Sequence, residues 1–149
     1  MPRIPPPIIA LIAAIMIWAL AHFLPVIRFR FPMQVVAAIG LALLGIALDI
    51  YAAIHFRLAK TTVNPITIEN ASSLVTRGPF AISRNPMYLG MVVFLAGVAV
   101  YEGGASGFIM LPLFVAYITA FQITPEERVM RRKFGDEYAT YCARVRRWI

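Results

Sequence analysis

The side chains that could do chemistry are concentrated in one polar stretch, residues 74–90, which reads Leu-Val-Thr-Arg-Gly-Pro-Phe-Ala-Ile-Ser-Arg-Asn-Pro-Met-Tyr-Leu-Gly. Its polar side chains include Arg77, Ser83, Arg84, Asn85 and Tyr88. Two helix-breaking pairs, Gly78-Pro79 and Asn85-Pro86, interrupt this stretch, and the second pair directly precedes an apolar run. This pattern predicts a backbone folded against a ligand at the mouth of a membrane helix.

Two adjacent carboxylates, Glu126 and Glu127, provide a second group, and two apolar runs separate them from the 74–90 stretch. If those runs form a helical hairpin, both groups lie at the same end of it. Together they offer the backbone amides near Gly78, the amide of Asn85, the hydroxyl of Tyr88 and two carboxylates. A carboxylate holds ribose hydroxyls or an ammonium, and free amides hold a carboxylate. The set therefore suits a zwitterionic ligand that carries a nucleoside.

Each of these residues also has a simpler interpretation. Glu127 is placed to cap the helix that follows the apolar runs, so we assign ligand contact chiefly to Glu126. Arg84 is equally consistent with an anchor at the membrane interface, and Tyr88 with the aromatic belt found there. Pro79 and Pro86 are consistent with ordinary turns.

The composition is that of an integral membrane protein with a single domain. Of 149 residues, 60% are hydrophobic and only 14% are charged, against about 25% charged in soluble domains. The net charge of +7 does not indicate nucleic-acid binding, because the basic residues flank apolar runs, where membrane orientation and lipid headgroups favour them.

Neither a disulfide nor a metal site is predicted. Cys142 is the only cysteine, which excludes an internal disulfide and a cysteine metal cluster. The two histidines, His22 and His55, lie far apart in different segments, and we interpret both as interfacial side chains.

About four apolar runs are long enough to form transmembrane helices that position the polar groups. We therefore predict an all-α polytopic membrane protein. A glycine-rich turn over 102–107 joins the last two runs into a hairpin. The predicted spans are 8–24, 33–54, 87–101 and 108–123. Residues 55–86 form a cytoplasmic connection that contains most of the polar stretch, whose last residues begin the third span.

Three residues within the predicted spans leave alternatives open. Asp49 is a functional candidate, because an ionisable group in a membrane is costly, or else a helix-paired side chain near the interface. Gly90 and Gly97 either thin the wall of a lateral passage for a lipid or allow close helix packing.

The tail, residues 124–149, is predicted to begin a new helix. Thr124 suits the N-cap, Pro125 the first helical position, and Glu127 completes a capping box. Gly135 is expected to break the tail into two helices. An apolar stripe with basic residues around it predicts a segment that lies on the membrane or packs over the helices. The stripe consists of Met130, Phe134, Tyr138, Tyr141, Val145 and Trp148.

Charge predicts the orientation. With four spans, only Arg28 and Arg30 of the 14 Lys and Arg residues fall on one side of the membrane. The positive-inside rule then places both termini and the 74–90 stretch in the cytoplasm.

At these residues the sequence resembles a family of membrane methyltransferases that includes the isoprenylcysteine carboxyl methyltransferases and phospholipid N-methyltransferases. Their shared pattern is Arg-His-Pro-x-Tyr followed by paired glutamates. The resemblance covers roughly residues 61–147 and includes the Phe-Gly-Asp-Glu-Tyr of 134–138. It implies S-adenosylmethionine bound at the cytosolic face and a lipophilic acceptor taken from the bilayer. Position by position, it assigns the cofactor to Leu74, Val75, Phe80, Asn85, Pro86, Met87, Tyr88 and Glu126.

Two positions depart from the family pattern. Asn85 stands where well-known members have histidine, so it can hydrogen-bond the cofactor but cannot titrate. Gln122 stands where the prenylcysteine enzymes have an arginine thought to hold the acceptor carboxylate. The acceptor is therefore either a prenylcysteine-type carboxylate or a lipid amine, with Gln122 as the substrate contact. The candidate catalytic residues are Glu126, Glu127 and Arg84.

Two other functions compete with methyl transfer. One is a sterol-reductase-like membrane oxidoreductase that uses NADPH, and the other is a non-catalytic membrane protein. The small size and the lack of extra basic residues for a 2′-phosphate disfavour the reductase. The expected partners are membrane lipids or a lipidated small molecule, with no metal and no nucleic acid, and the sequence does not specify an oligomeric state.

Overall fold

A computed structural model describes residues 4–59 and 73–149, and within these ranges the regular structure is helical. This confirms the all-α prediction. Arg3 and residues 60–72 of the predicted connection lie outside the described residues. The α-helices are α1 (Pro6–Phe23), α2 (Gln34–Leu58), α3 (Pro86–Glu102), α4 (Met110–Ile118) and α5 (Thr124–Arg144). Short 3₁₀ turns occupy Gly78–Ala81 and Ala105–Ile109, and a π turn occupies Thr119–Ile123.

Every predicted apolar run is helical. Among the described residues, three helical segments are long and apolar enough to cross a membrane, namely Pro6–Phe23, Gln34–Leu58 and the continuous Ala105–Arg144. The α3 helix is also apolar but has only 17 residues, or about 26 Å of length. Most large apolar side chains of α1 and α2 are exposed, as expected where lipid covers a helix.

The α3 helix lies at the centre of the bundle, between α2 on one side and α1 and α4 on the other. Glycines allow the close contact with α2, since a Cβ on Gly90 would overlap Asp49 and the carbonyl oxygen of Gly45. A Cβ on Gly97 would likewise lie 2.8 Å from the carbonyl oxygen of Ala38. Of the two interpretations of these glycines, close helix packing is therefore confirmed.

The other side of α3 faces the hydrophobic core. Leu95 and Ala99 of α3 are fully buried there against α1 and α4. The remaining core residues are Ala13, Ile17, Tyr88, Phe114, Ile118 and Ile123. The hairpin prediction is confirmed, because Gly103, with φ of +66°, ends α3 and turns the chain toward α4.

The predicted helix start at Thr124 is wrong. The helix continues from α4 through the π turn into α5, and Thr124 is itself helical, with its hydroxyl donating 2.8 Å to the Thr119 carbonyl. Pro125 has no N–H and its ring crowds the preceding turn of an ordinary α-helix. The wider π turn directly before it accommodates this proline without ending the helix.

The predicted break at Gly135 is confirmed, because this residue has φ of +49° and ψ of −121° inside α5. Beyond it, Tyr138 and Tyr141 are buried, and the Tyr141 hydroxyl donates 2.6 Å to the Phe80 carbonyl. The described part of the tail therefore packs over the bundle. After α5 the chain becomes extended at Val145 and returns across the 74–90 stretch. We call residues 145–149 the closing segment.

Candidate functional site

The end of α2 holds the first turn of the 74–90 stretch. Gly78 has φ of +63°, which favours glycine, and a Cβ there would overlap the His55 imidazole. Phe80 is buried, with its ring edge-on to Phe56 at a centroid distance of 4.8 Å. His55 thus packs against the turn rather than lying only at an interface. Leu74 and Val75 precede the turn in a half-buried, non-helical segment.

The second turn leads into α3. The Asn85 backbone N–H donates 3.1 Å to the Ser83 hydroxyl, and Pro86 occupies the start of the helix, where its missing N–H costs nothing. The positive end of the α3 dipole therefore lies at this turn. Met87 is half-buried and Tyr88 is buried.

Tyr88 and Glu126 meet across the hairpin, as the topology argument predicted. The tyrosine hydroxyl donates to Glu126 Oε1 at 2.7 Å. Both residues are buried, with 7% and 9% of their surface exposed. A carboxylate is thereby held at the start of α3, next to the Asn85-Pro86 turn.

Glu127 forms an ion-pair cluster with two arginines instead of capping a helix. Its carboxylate receives Arg84 Nη2 at 2.8 Å and Arg147 through Nη2 at 2.6 Å and Nε at 3.0 Å. The Arg84 side chain is only 11% exposed, so the interpretation as an interfacial anchor is wrong. Since two guanidinium groups share one carboxylate, the cluster carries a net positive charge.

This cluster also sets the protonation state of Glu127. The residue follows the apolar part of its helix and lies outside the predicted span 108–123. Burial raises the pKa of the carboxyl, but the hydrogen bonds and charges of Arg147 and Arg84 outweigh burial and hold the pKa below its usual value. Glu127 is thus a stable anion between two cations, whereas Glu126 is paired with Tyr88.

The closing segment supplies site residues that sequence reasoning missed. The Arg84 backbone N–H donates 3.0 Å to the Arg146 carbonyl. The Arg147 carbonyl accepts the Asn85 side-chain amide at 2.9 Å and the Ser83 hydroxyl at 3.3 Å. Trp148 donates from its indole to the Thr119 hydroxyl at 3.3 Å. In the sequence, Arg147 is one of a run of tail arginines, and nothing distinguishes it from Arg146.

Gln122 lies on the π turn, one turn before Glu126. It is 2% exposed, and its Nε2 donates 2.8 Å to the Ile4 carbonyl. Its Oε1 is buried and has no hydrogen-bond partner among the described residues. π turns inside α-helices are frequent at functional sites, and an unsatisfied buried acceptor is costly. This oxygen is therefore available to a ligand that donates a hydrogen bond.

Asp49 lies apart from Tyr88 and Glu126, on the α2 side of α3. Its Oδ1 is buried against Gly90 and has no hydrogen-bond partner among the described residues. No group of three metal-binding side chains occurs in the part of the chain that the structure describes.

Comparison with known proteins shows the family of this chain. A sequence model described as phospholipid methyltransferase matches residues 33–137, more than two thirds of the chain. The chain belongs to the phospholipid methyltransferase family. The match contains both halves of the motif, the 74–90 stretch and the paired glutamates, whereas α1 and the closing segment lie outside it.

A bacterial relative shares part of the sequence. An uncharacterised protein of Haemophilus influenzae is 36% identical over 63 residues, which are 42% of this chain and 100% of that protein. No solved structure matches. Family membership and the apolar helices identify an integral membrane protein of a methyltransferase family, and they do not favour the reductase alternative.

Proposed function

We propose that this protein is an S-adenosylmethionine-dependent methyltransferase that methylates a lipid amine taken from the bilayer. The observation that carries the proposal is the buried Tyr88–Glu126 hydrogen bond of 2.7 Å, because it joins the two halves of the family motif at one place. We further propose that this end of the bundle is cytoplasmic, where S-adenosylmethionine is available, in agreement with the charge distribution.

The donor set suits the cofactor. We assign to Glu126 the hydrogen bonds from ribose hydroxyls or an ammonium. The start of α3 and the Arg84–Glu127–Arg147 cluster both favour a carboxylate nearby. Phe80 presents an aromatic ring, and the half-buried Leu74, Val75 and Met87 give apolar surface. Bound there, the sulfonium cofactor supplies an activated methyl group.

The protein's own task is alignment and exclusion of water. Methyl transfer from a sulfonium is an in-line displacement, so the acceptor atom, the methyl carbon and the leaving sulfur must be collinear. Burial of Tyr88, Gln122 and Glu126 keeps the reacting region dry, which strengthens each polar contact.

The side chains around the acceptor favour an amine over a carboxylate. Gln122 is neutral, and its buried oxygen has no hydrogen-bond partner in the part of the chain that the structure describes, which suits an N–H donor. Nη1 and Nη2 of Arg84 are committed to Glu127 and to the carbonyls of Cys142 and Val145. Its Nε is buried and has no hydrogen-bond partner among the described residues. An ammonium must lose a proton before it attacks, and we propose Glu126 as the group that accepts this proton.

The test is transfer of a labelled methyl group in vesicles. Purified protein is reconstituted with an aminophospholipid or with a prenylcysteine, and the lipid extract is counted after S-adenosylmethionine is added. We expect label in the amine lipid, and we expect Gln122→Met to raise KM for that lipid with little change in cofactor affinity. Label only in the prenylcysteine would overturn the amine assignment. No label in either lipid, from folded protein, would overturn the methyltransferase.

A further inference from the structure

We propose that the closing segment contributes to cofactor binding at the site. The Arg147 carbonyl orients the Asn85 amide so that this residue directs its Oδ1 to the cofactor. The Arg147 side chain is the positioning group that holds the segment in place. The cofactor half of this proposal rests on the proposed function, whereas the anchoring half does not.

The orientation of Asn85 follows from the chemistry of its partner. A backbone carbonyl only accepts hydrogen bonds, so the Asn85 atom that lies 2.9 Å from the Arg147 carbonyl must be the amide nitrogen. The Ser83 hydroxyl donates to the same carbonyl at 3.3 Å and accepts the Asn85 backbone N–H. The Asn85 backbone N–H and one of its two side-chain N–H groups are therefore engaged, and the fixed nitrogen fixes the direction of Oδ1. The cofactor group that contacts Oδ1 must be a hydrogen-bond donor.

An ion pair between Arg147 and the largely buried Glu127 holds the closing segment across the Asn85-Pro86 turn. Arg147 places two nitrogens on Glu127, whose side chain is 10% exposed. The planar guanidinium matches a carboxylate in this two-bond geometry, which a lysine cannot reproduce. The backbone bond from Arg84 to the Arg146 carbonyl and the Trp148 indole add two further attachments.

This arrangement specifies which residues can replace Asn85. The position requires one donor toward the Arg147 carbonyl and one acceptor on the opposite side. A neutral imidazole provides both, since one ring nitrogen donates and the other accepts. Histidine should therefore substitute for Asn85, whereas alanine provides neither group.

The experiment measures cofactor affinity by titration calorimetry, together with the melting temperature of each variant. Arg147→Ala is paired with Arg146→Ala, which removes the same charge from an exposed side chain in the same segment. We expect Arg147→Ala to weaken cofactor binding about tenfold, the effect of one lost charge-assisted hydrogen bond, and Arg146→Ala to leave it unchanged. Asn85→His should bind nearly as well as the unaltered protein, and Asn85→Ala should bind about as weakly as Arg147→Ala.

Coupling between the two positions separates this role from a general loss of stability. If Arg147 acts through Asn85, the double variant Asn85→Ala/Arg147→Ala should bind no more weakly than either single variant. Effects that multiply, an Arg147→Ala variant that behaves like Arg146→Ala, or an Asn85→His variant no better than Asn85→Ala would each overturn the proposal.

A measurement without cofactor tests the anchoring half alone. Release of the closing segment breaks the bond from the Arg84 N–H to the Arg146 carbonyl, so hydrogen exchange at Arg84 should accelerate in Arg147→Ala and not in Arg146→Ala. Unchanged exchange would overturn the anchoring role even if the cofactor binds. If the unaltered protein binds no cofactor, the proposed function and the cofactor half fail together, and the exchange result still decides the anchoring half.

Discussion

At the residue scale, two adjacent glutamates have different roles because they face different neighbours. Glu126 receives the Tyr88 hydroxyl, while Glu127 lies between Arg84 and Arg147. The sequence assigned ligand contact chiefly to Glu126, which its burial beside Tyr88 supports. It could not predict the ion pairs of Glu127, because Arg84 lies 43 residues earlier and Arg147 20 residues later. Local sequence instead suggested a helix cap.

The ion-pair cluster predicts a pH dependence of stability. The folded-state pKa of Glu127 is below its usual value, so its stabilising effect is present above that usual value and lost as pH falls through the folded-state pKa. Thermal unfolding of Glu127→Gln beside the unaltered protein should show a difference in melting temperature at neutral pH. This difference should shrink in acid. A difference that is constant from neutral to acid pH would contradict the assignment.

At the element scale, the helices were predictable from the sequence, but the connections between them were only partly predictable. Apolar runs and the glycine turn at Gly103 indicate the spans and the hairpin directly. The continuity through Thr119–Ile123 was not predictable, because Thr124, Pro125 and Glu127 have the residue types of a new helix. Whether such a sequence starts a helix or follows a π turn depends on tertiary contacts, which local patterns do not contain.

The packing of α2 on α3 gives a prediction with a matched control. Gly90→Ala places a Cβ on Asp49 and on the Gly45 backbone, so it should destabilise the protein by about 1–3 kcal/mol, as overpacked cores do. Gly40→Ala meets nothing within 4 Å and should be neutral or stabilising, because alanine favours helix. The measurement is thermal unfolding in detergent. Equal effects of the two changes would contradict the packing of α2 on α3 at Gly90.

At the scale of the whole molecule, the orientation in the membrane can be tested by cysteine labelling. Cys142 is the only cysteine, so Cys142→Ser gives a background for single introduced thiols. Ala139→Cys on α5 and Ile27→Cys between α1 and α2 are exposed positions. An impermeant maleimide applied to intact cells should label Ile27→Cys alone, because the positive-inside rule places the tail in the cytoplasm. Labelling of Ala139→Cys alone would reverse the orientation.

The most direct measurement of the central claim is titration calorimetry with S-adenosylmethionine on purified protein. Glu126→Gln is compared with Glu102→Gln, which changes a glutamate at the far end of α3. We predict that the unaltered protein and Glu102→Gln bind with equal affinity. Glu126→Gln should bind at least about tenfold more weakly, since hydrogen bonds to a charged acceptor contribute about 1.5–3 kcal/mol. Absence of binding to the folded, unaltered protein, or equal binding by Glu126→Gln, would contradict this account of the site.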